Sequence, residues 1–584
     1  MSIIKVARPN KGENASKFIN EAIRNAPIGS ELVLEKGEYL LMSPIVIEDK
    51  EDFVFNGNGS TIMPYFDREK DENPGTDGFN CRGSRNITLK NFKLCASQSV
   101  NTAVRILAVN KKYVDVKVNA AEPFNGNEFL FSGMAFTEDG RPLQSYWLIN
   151  KGDDSRIGFF AGEIPTSRAI NVNAPREEIG DQCYRIYSSS LEEFGKDESE
   201  LTPDSRTPKD ALLRPGTLAN VLHSVYRVCG FTFKNCTEVT VEDVHVSNFG
   251  GFVFVILPRC FDFTFRRVKL QTEDFEHQPY PANADLVHTT GLGGKLIFED
   301  CFVERSSDDV LNIHTQALVP RNITKKSFEV IYNKPFGIVS PSWAQENDIL
   351  RVYSSKDFSL KGKITVKSFK DGVVTFDELP FTVDESDIVS NETYYPNVVI
   401  RGNVIRNQRN RALTFQAVSS LLVENNTIEG SPAAIYISAA FNGYYEAGPA
   451  ENIVIRNNYF YGNSIRRVNY NGVIHTWVFG SADFQKDLYH IHRNMTIENN
   501  TFVNTNIAPI YVSLTDGVKI GGNKFVDCHT KNGEKIVLRN CTDVSCENNI
   551  DVCGILYSAC EPIFEDRPAG MSNDGFLKAI MKNR

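Results

Sequence analysis

Three aspartates and two histidines lie within thirty residues near the middle of this 584-residue chain. Asp285 lies 23 residues before the adjacent pair Asp308 and Asp309. His288 follows the first aspartate by three residues, and His314 follows the pair by five. When carboxyl groups lie close together, their repulsion raises the pKa of one, which stays protonated while a neighbour is ionised. Acid–base hydrolysis requires this division between a proton donor and a proton acceptor.

A repeat of about 23 residues would supply the elements that position these side chains. Short alternating apolar segments recur around a polar corner, as in LLVENNTI (421–428), IVIRNNYF (453–460), MTIENNTF (495–502) and VKIGGNKF (518–525). This pattern predicts an all-β fold, a right-handed parallel β-helix whose coils bury their inward residues on one another. Asn suits the corners because it tolerates a left-handed backbone and can bond the same residue of the next coil. A β-sandwich is the alternative, but its turns would not repeat one corner motif.

Two regions without the repeat predict two inserted small β-barrel-like domains, because their strands alternate over longer runs between Gly, Asn and Asp turns. An amphipathic segment at 15–26 predicts a short N-terminal capping helix that covers the open edge of the first coil. The predicted division is a cap with the first coils (1–100), a first insert (101–220), coils carrying the aspartates (221–318), a second insert (319–397), further coils (398–560) and a C-terminal tail (561–584).

The repeat also predicts which residues lie side by side. Alignment of the corner segments places Asp285 on the coil directly above Asp308 and Asp309, with Asn410 and Arg411 on the coil below. Equivalent side chains on adjacent coils lie about 5 Å apart. Arg411 would hold one carboxylate ionised. The alternative for the aspartate pair is a polar corner without catalytic work.

Further residues are predicted to contact a sugar. The two histidines could bind substrate hydroxyls, Tyr444, Tyr445 and Trp477 offer flat apolar faces to a sugar ring, and Glu446 offers an acceptor. Arg411 joins this predicted substrate-binding group. A packed core histidine, or an aromatic residue that only packs its own loop, is the alternative at each position.

Composition narrows the class of ligand. The net charge is −10 and no dense Lys/Arg cluster occurs, which disfavours nucleic acid and suits a neutral substrate such as a sugar. No apolar run is long enough to span a membrane. Twelve cysteines occur without a C-x-x-C motif or zinc-like spacing, which disfavours a zinc site, and no cofactor is expected. Calcium is the competing use of the aspartates, but it prefers six to eight oxygen ligands.

The first residues, MSIIKVARPNKGENASKFINEAI, lack a basic segment followed by an apolar core. They therefore predict a cytoplasmic protein with reduced cysteines. A leader removed from the natural chain would instead make the protein secreted or periplasmic.

The motifs ADLVHTT (284–290), FEDCFVERSSDDVLNIH (298–314), the NRALTFQ–VENNTIEG run (410–430) and YYEAGP (444–449) resemble glycoside hydrolase family 110, the α-galactosidases with a parallel β-helix and inserted β-barrel domains. The resemblance implies an exo-acting enzyme that removes terminal α-1,3-linked galactose from oligosaccharides with inversion and without a metal. It implies that Asp285 is the general acid and that Asp308 with Asp309 activates water. It also implies substrate-binding roles for Asn312 and His314.

Three other functions and one assembly stay open at this point. One function is that of a β-helical glycosidase acting on another α-linked sugar. A polygalacturonase-like hydrolase also carries aspartates on a β-helix, but a uronate would need several basic residues near the cleft, where the sequence offers Arg411 and Arg409. A non-catalytic glycan-binding protein is the alternative from another class. A homodimer is a further possibility for the assembly.

Overall fold

A computed structural model shows a parallel β-helix interrupted by two antiparallel sheets, so the predicted solenoid is confirmed. The structure describes residues 2–70, 73–122, 124, 126–128, 132–135, 148–149, 176–187, 198–200, 214–224, 226–333, 339–441, 444–463, 470–478, 489–530, 533–554 and 556–564.

The larger sheet has 23 strands among the described residues, and they flank the polar corner of each coil. All pair in parallel except the last, which turns back on its neighbour. They are Ser2–Val6, Ser30–Leu34, Glu38–Leu41, Glu51–Pro64, Arg85–Cys95, Thr237–Asn248, Cys260–Arg266, Lys269–Leu270, Leu292–Glu299, Phe302–Glu304, Asn397–Arg401, Val404–Arg406, Ser420–Glu424, Thr427–Glu429, Glu451–Arg456, Tyr459–Tyr461, His492–Glu498, Thr501–Val503, Thr515–Gly521, Lys524–Val526, Thr542–Glu547, Ile550–Cys553 and Leu556–Ala559.

A second parallel sheet of twelve strands forms another face of the coils. Its strands are Ile45–Glu48, Phe79–Arg82, Cys229–Lys234, Phe252–Ile256, Val287–Thr289, Leu311–Ile313, Leu413–Phe415, Ile435–Ala439, Gly472–Val478, Ala508–Ser513, Ile536–Arg539 and Ile563–Phe564. Between the sheets, their inward residues form one continuous apolar core.

The N-terminal helix, Ser16–Asn25, covers the first coil as predicted. It buries Ile19 and Ile23 in the core. Asn20 fastens it to the coil, because its amide donates to the Pro44 carbonyl at 2.9 Å and accepts from the Val46 N–H at 2.8 Å. Short 3₁₀ turns occur at Glu198–Glu200 and Glu392–Tyr394. No helix among the described residues has the length and apolarity to cross a membrane.

Within the part of the chain that the structure describes, each insert is an antiparallel sheet of seven strands. The first contains Asn101–Val109, Tyr113–Asn119, Ser132–Ala135, Leu148–Ile149, Arg176–Gly180, Cys183–Tyr187 and Leu218–Leu222. The second contains Ala317–Arg321, Ser327–Ile331, Ile349–Tyr353, Leu360–Thr365, Ser368–Lys370, Val373–Thr375 and Ile388–Asn391.

Neither insert forms a closed barrel within the described residues, which corrects the predicted barrel-like form. The reason is visible in the second insert. Its edge strands, Leu360–Thr365 and Ser368–Lys370, follow each other along the chain and do not pair. The chain instead passes from one edge of the sheet to the other through Val366 and Lys367, without closing the ladder of strand hydrogen bonds.

The two residues of each Asn-Asn or Gly-Asn corner have different structural roles. The first residue has a left-handed backbone, as at Asn457 with a φ of 56°. The second residue is buried and bonds its equivalent on the next coil; these residues are Asn403, Asn426, Asn458, Asn500, Asn523 and Asn549. Asn458 accepts from the Asn426 amide at 2.9 Å and donates to Asn500 at 3.0 Å. This ladder fixes the register of the coils on the C-terminal side of the aspartates.

We expect Asn458→Ala to lower the free energy of unfolding by about 2–4 kcal/mol, because it leaves buried donors and acceptors of two neighbouring coils without partners. Chemical denaturation measures the change. Asn397→Ala is the matched control, since Asn397 is exposed at the start of a strand, and we expect a change within about 0.5 kcal/mol. Equal stability of the two variants would mean that the ladder does not hold the register.

Candidate active site

The aspartates lie where three successive coils enter the twelve-stranded sheet. Val287, Leu311 and Leu413 are partners in that sheet and point into the core. Two residues before each of them stand Asp285, Asp309 and Arg411, and the coils remain paired there, because the Leu286 N–H donates to the Asp309 carbonyl at 3.1 Å. The coil mate of Asp285 is therefore Asp309, 24 residues later, rather than Asp308.

Asp309 is held from the coil below. The Arg411 guanidinium donates to both of its carboxylate oxygens, at 3.0 and 2.6 Å, and the Thr414 hydroxyl donates at 3.1 Å. The Asp309 residue is only 1% exposed. Burial raises the pKa of Asp309 to about 6, while Arg411 opposes that rise and the charge of Asp308 adds to it.

Asp285 lies in a similarly dry position, but with a weaker positive partner. Its Oδ1 accepts from the Asp309 backbone N–H at 3.2 Å, and its Oδ2 is 2.8 Å from His288 Nδ1. Burial raises the pKa of Asp285 to about 7, and repulsion from Asp308 adds to the rise while His288 opposes it. Asp285 is therefore the carboxyl best suited to carry a proton near neutral pH.

Asp308 immediately precedes Asp309 in the chain and has partners of its own. Its Oδ1 accepts from the Asn410 amide at 2.7 Å, and its Oδ2 accepts from the Tyr226 hydroxyl. Tyr226 follows the first insert with a left-handed φ of 57° and packs on Phe252, with ring centroids 4.9 Å apart. Sequence reasoning missed this tyrosine, because it lies outside the repeat and in no recognisable motif.

A line of side-chain contacts runs from Asp285 through His288 to His314. His288 Nε2 lies 3.2 Å from His314 Nε2, and their ring centroids are 4.9 Å apart. His314 is buried, and His288 is partly exposed. The structure thus brings both predicted histidines near the aspartates: His288 contacts Asp285, and His314 contacts His288. Their binding of sugar hydroxyls stays a prediction.

Asn312 and Glu446 lie further along the same face. Asn312 pairs with His288 on the coil above and with Thr414 on the coil below. Its Oδ1 is buried and has no hydrogen-bond partner among the described residues. Glu446 accepts from the Gln416 amide at 3.2 Å. Sequence reasoning assigned no role to Gln416, although it stands two residues after Thr414, directly past the strand Leu413–Phe415.

The aromatic residues predicted for the pocket wall have other neighbours. The Tyr445 hydroxyl accepts from the Asn333 amide at 2.6 Å, and the Tyr445 carbonyl accepts from the Ala317 N–H at 2.9 Å. Tyr445 thereby joins its loop to the second insert. Trp477 lies two strands beyond Thr414 and packs against His475, with centroids 5.7 Å apart. Neither residue hydrogen-bonds to an aspartate of the site within the described ranges.

The described residues hold no ready set of metal ligands. No group of three or more His, Cys, Asp or Glu side chains among the described residues has the geometry to hold a metal ion. The three aspartates instead take their side-chain partners from Arg411, Asn410, Tyr226 and His288.

A known protein family and a solved structure are similar to this chain. A family model described as "Right handed beta helix region" matches residues 366–525. An exopolygalacturonase from Thermotoga maritima, whose crystal structure is known, aligns with 96% of this chain and 92% of its own, at 10% identity and a TM-score of 0.37.

Curated relatives carry a more specific name. An alpha-1,3-galactosidase B of Akkermansia muciniphila is 25% identical over 76% of this chain, and the alignment spans 53% of that relative's own length. An alpha-1,3-galactosidase B of Phocaeicola vulgatus is 22% identical over 88% of this chain and 90% of its own. The resemblance to glycoside hydrolase family 110 is thus confirmed by relatives that match most of the chain and bear the name of that family's activity.

Proposed function

We propose that this chain is an exo-acting glycoside hydrolase. It removes terminal galactose that is held in an α-1,3 linkage to an oligosaccharide, with inversion at the anomeric carbon. The observation that carries the proposal is the pair of buried carboxyls on adjacent coils, Asp285 and Asp309, which have different partners. The names of the curated relatives support galactose as the sugar and α-1,3 as the linkage.

The proposed reaction uses two kinds of carboxyl. Protonated Asp285 donates its proton to the glycosidic oxygen as the bond from that oxygen to the anomeric carbon breaks. The bonding electron pair leaves with the oxygen. A water molecule attacks the anomeric carbon from the opposite face and gives its proton to the carboxylates of Asp308 and Asp309. Arg411 and Thr414 favour the ionised form of Asp309, which a proton acceptor requires.

The charges at the site favour a neutral sugar over a uronate. Arg411 is engaged by Asp309, and Arg409 bonds the Ser307 carbonyl and lies 3.7 Å from Asp308. Both cations are thus already opposed by the protein's own oxygens. Adding a substrate carboxylate beside three aspartates would cost electrostatic energy. The polygalacturonase-like alternative therefore has the weaker support.

We expect Asp285→Asn to lower kcat/KM by at least about a thousandfold on an alkyl α-galactoside, whose poor leaving group needs a proton. The loss should be small on 2,4-dinitrophenyl α-galactoside, whose leaving group departs unprotonated. Asp309→Asn should lose activity on both substrates, because water activation is required by each. Steady-state kinetics on the two substrates measure the contrast, with circular dichroism as the check on folding.

Asp243→Asn supplies a matched control, because Asp243 forms an exposed ion pair with Arg267 on the larger sheet and lies outside the candidate site. We expect wild-type kinetics from it on both substrates. Equal losses for Asp285→Asn on the two leaving groups would remove Asp285 from the role of general acid.

The stereochemistry of the first product tests inversion separately. If water attacks opposite the leaving group, the sugar released from an α-galactoside is first β-galactose, which then mutarotates. Proton NMR during the first minutes of hydrolysis distinguishes the two anomers. Initial release of α-galactose would contradict the inverting mechanism while leaving the glycosidase itself in place.

A further inference from the structure

Gln416 combines burial with an unused acceptor. The residue is only 2% exposed, and its Oε1 has no hydrogen-bond partner among the described residues. Its Nε2 donates to Glu446 Oε2 at 3.2 Å, and a carboxylate accepts only from the nitrogen of the amide. The orientation of the amide is therefore fixed by Glu446, and the carbonyl oxygen is the free end.

The position of Gln416 relates it to the carboxylates. It lies two residues after Thr414, whose hydroxyl donates to Asp309. Its backbone N–H donates to the Ile313 carbonyl on the coil above, at 2.8 Å, which places it next to His314. Two outward positions of this face, Asn312 and Gln416, thus each hold a buried carbonyl-type oxygen without a donor among the described residues.

Buried acceptors without donors are costly, and native proteins rarely retain them without a use. The ligand that would satisfy these oxygens must bring hydroxyl or amino hydrogens. A carboxylate on the ligand would bring only acceptors. A neutral, hydroxyl-rich sugar ring beside Asp309 fits both the free acceptors and the excess of carboxylates.

We propose that Gln416, oriented by Glu446, determines sugar specificity by accepting a hydrogen bond from one hydroxyl of the terminal galactose, with Asn312 as a second acceptor. This inference rests on the proposed function. It gives Glu446, which sequence reasoning assigned to the substrate, the task of positioning Gln416. It also makes Gln416 a binding residue that the aspartate motifs do not reveal.

The contact is tested by removing the side-chain acceptor and one sugar hydroxyl, first separately and then together. The substrates are an aryl α-galactoside and its 2-, 3-, 4- and 6-deoxy analogues, and the variant is Gln416→Leu. We expect Gln416→Leu to lower kcat/KM on the full substrate by about tenfold to a hundredfold. For one analogue, the one that lacks the bonded hydroxyl, the variant and the wild type should then be equally active.

Gln271→Leu is the matched control, because Gln271 makes the same amide-to-carboxylate bond, to Glu304 at 3.1 Å, after a strand of the larger sheet. It should leave the whole pattern unchanged. Gln416→Met, with an unbranched side chain, replaces the leucine variant if that variant melts at a lower temperature.

The outcomes separate the two proposals. If Gln416→Leu loses the same factor on every analogue while the wild type is active, Gln416 contacts no hydroxyl and this inference fails alone. If the wild type hydrolyses no α-galactoside, the proposed function fails and this inference with it.

Discussion

Coil-on-coil stacking at the spacing of paired strands is the constraint on which the rest of the structure depends. Every inward residue of one coil packs on its equivalents, so a residue's position within its coil decides its neighbours on adjacent coils. The buried asparagine ladder enforces this register at the corners. Residues far apart in sequence, such as Asp309 and Arg411, consequently meet because they occupy the same place in successive coils.

This constraint also explains the electrostatics of the site. A solenoid that packs its coils tightly has no room to move two like charges apart once their positions coincide. Asp285 and Asp309 are both buried at such positions, and burial is the largest cause of the raised pKa of each. Their partners then make them unequal, since Asp309 receives a two-pronged bond from Arg411 whereas Asp285 receives a histidine and one backbone N–H. A proton donor and a proton acceptor therefore arise from one residue type.

Periodic patterns in the sequence were enough to predict the solenoid, the helix that caps it and the meeting of the aspartates with Arg411. The same alignment placed Asp285 above Asp308 and Asp309 together and did not single out Asp309 as its coil mate, because the inserted residues between 271 and 284 hide the register of that coil. Tyr226 and Gln416 were assigned no role because their importance lies in contacts across coils, which the type of residue alone does not reveal. The open form of the inserts was missed because alternation predicts strands but not how their edges pair.

The pH dependence of kcat/KM on an aryl α-galactoside tests the central claim, that stacked, buried carboxyls with different partners divide acid and base work. The account predicts a narrow bell-shaped profile whose two limbs reflect titration of the carboxyl cluster. The alkaline limb lies near pH 7, where Asp285 loses its proton, and the acidic limb lies near pH 6, where Asp309 gains one. Asp285→Asn, measured on the same aryl substrate, should lack the alkaline limb in its residual activity. A rate that stays level from pH 7 to about pH 9 in the wild type, or an alkaline limb that persists unchanged in Asp285→Asn, would contradict it.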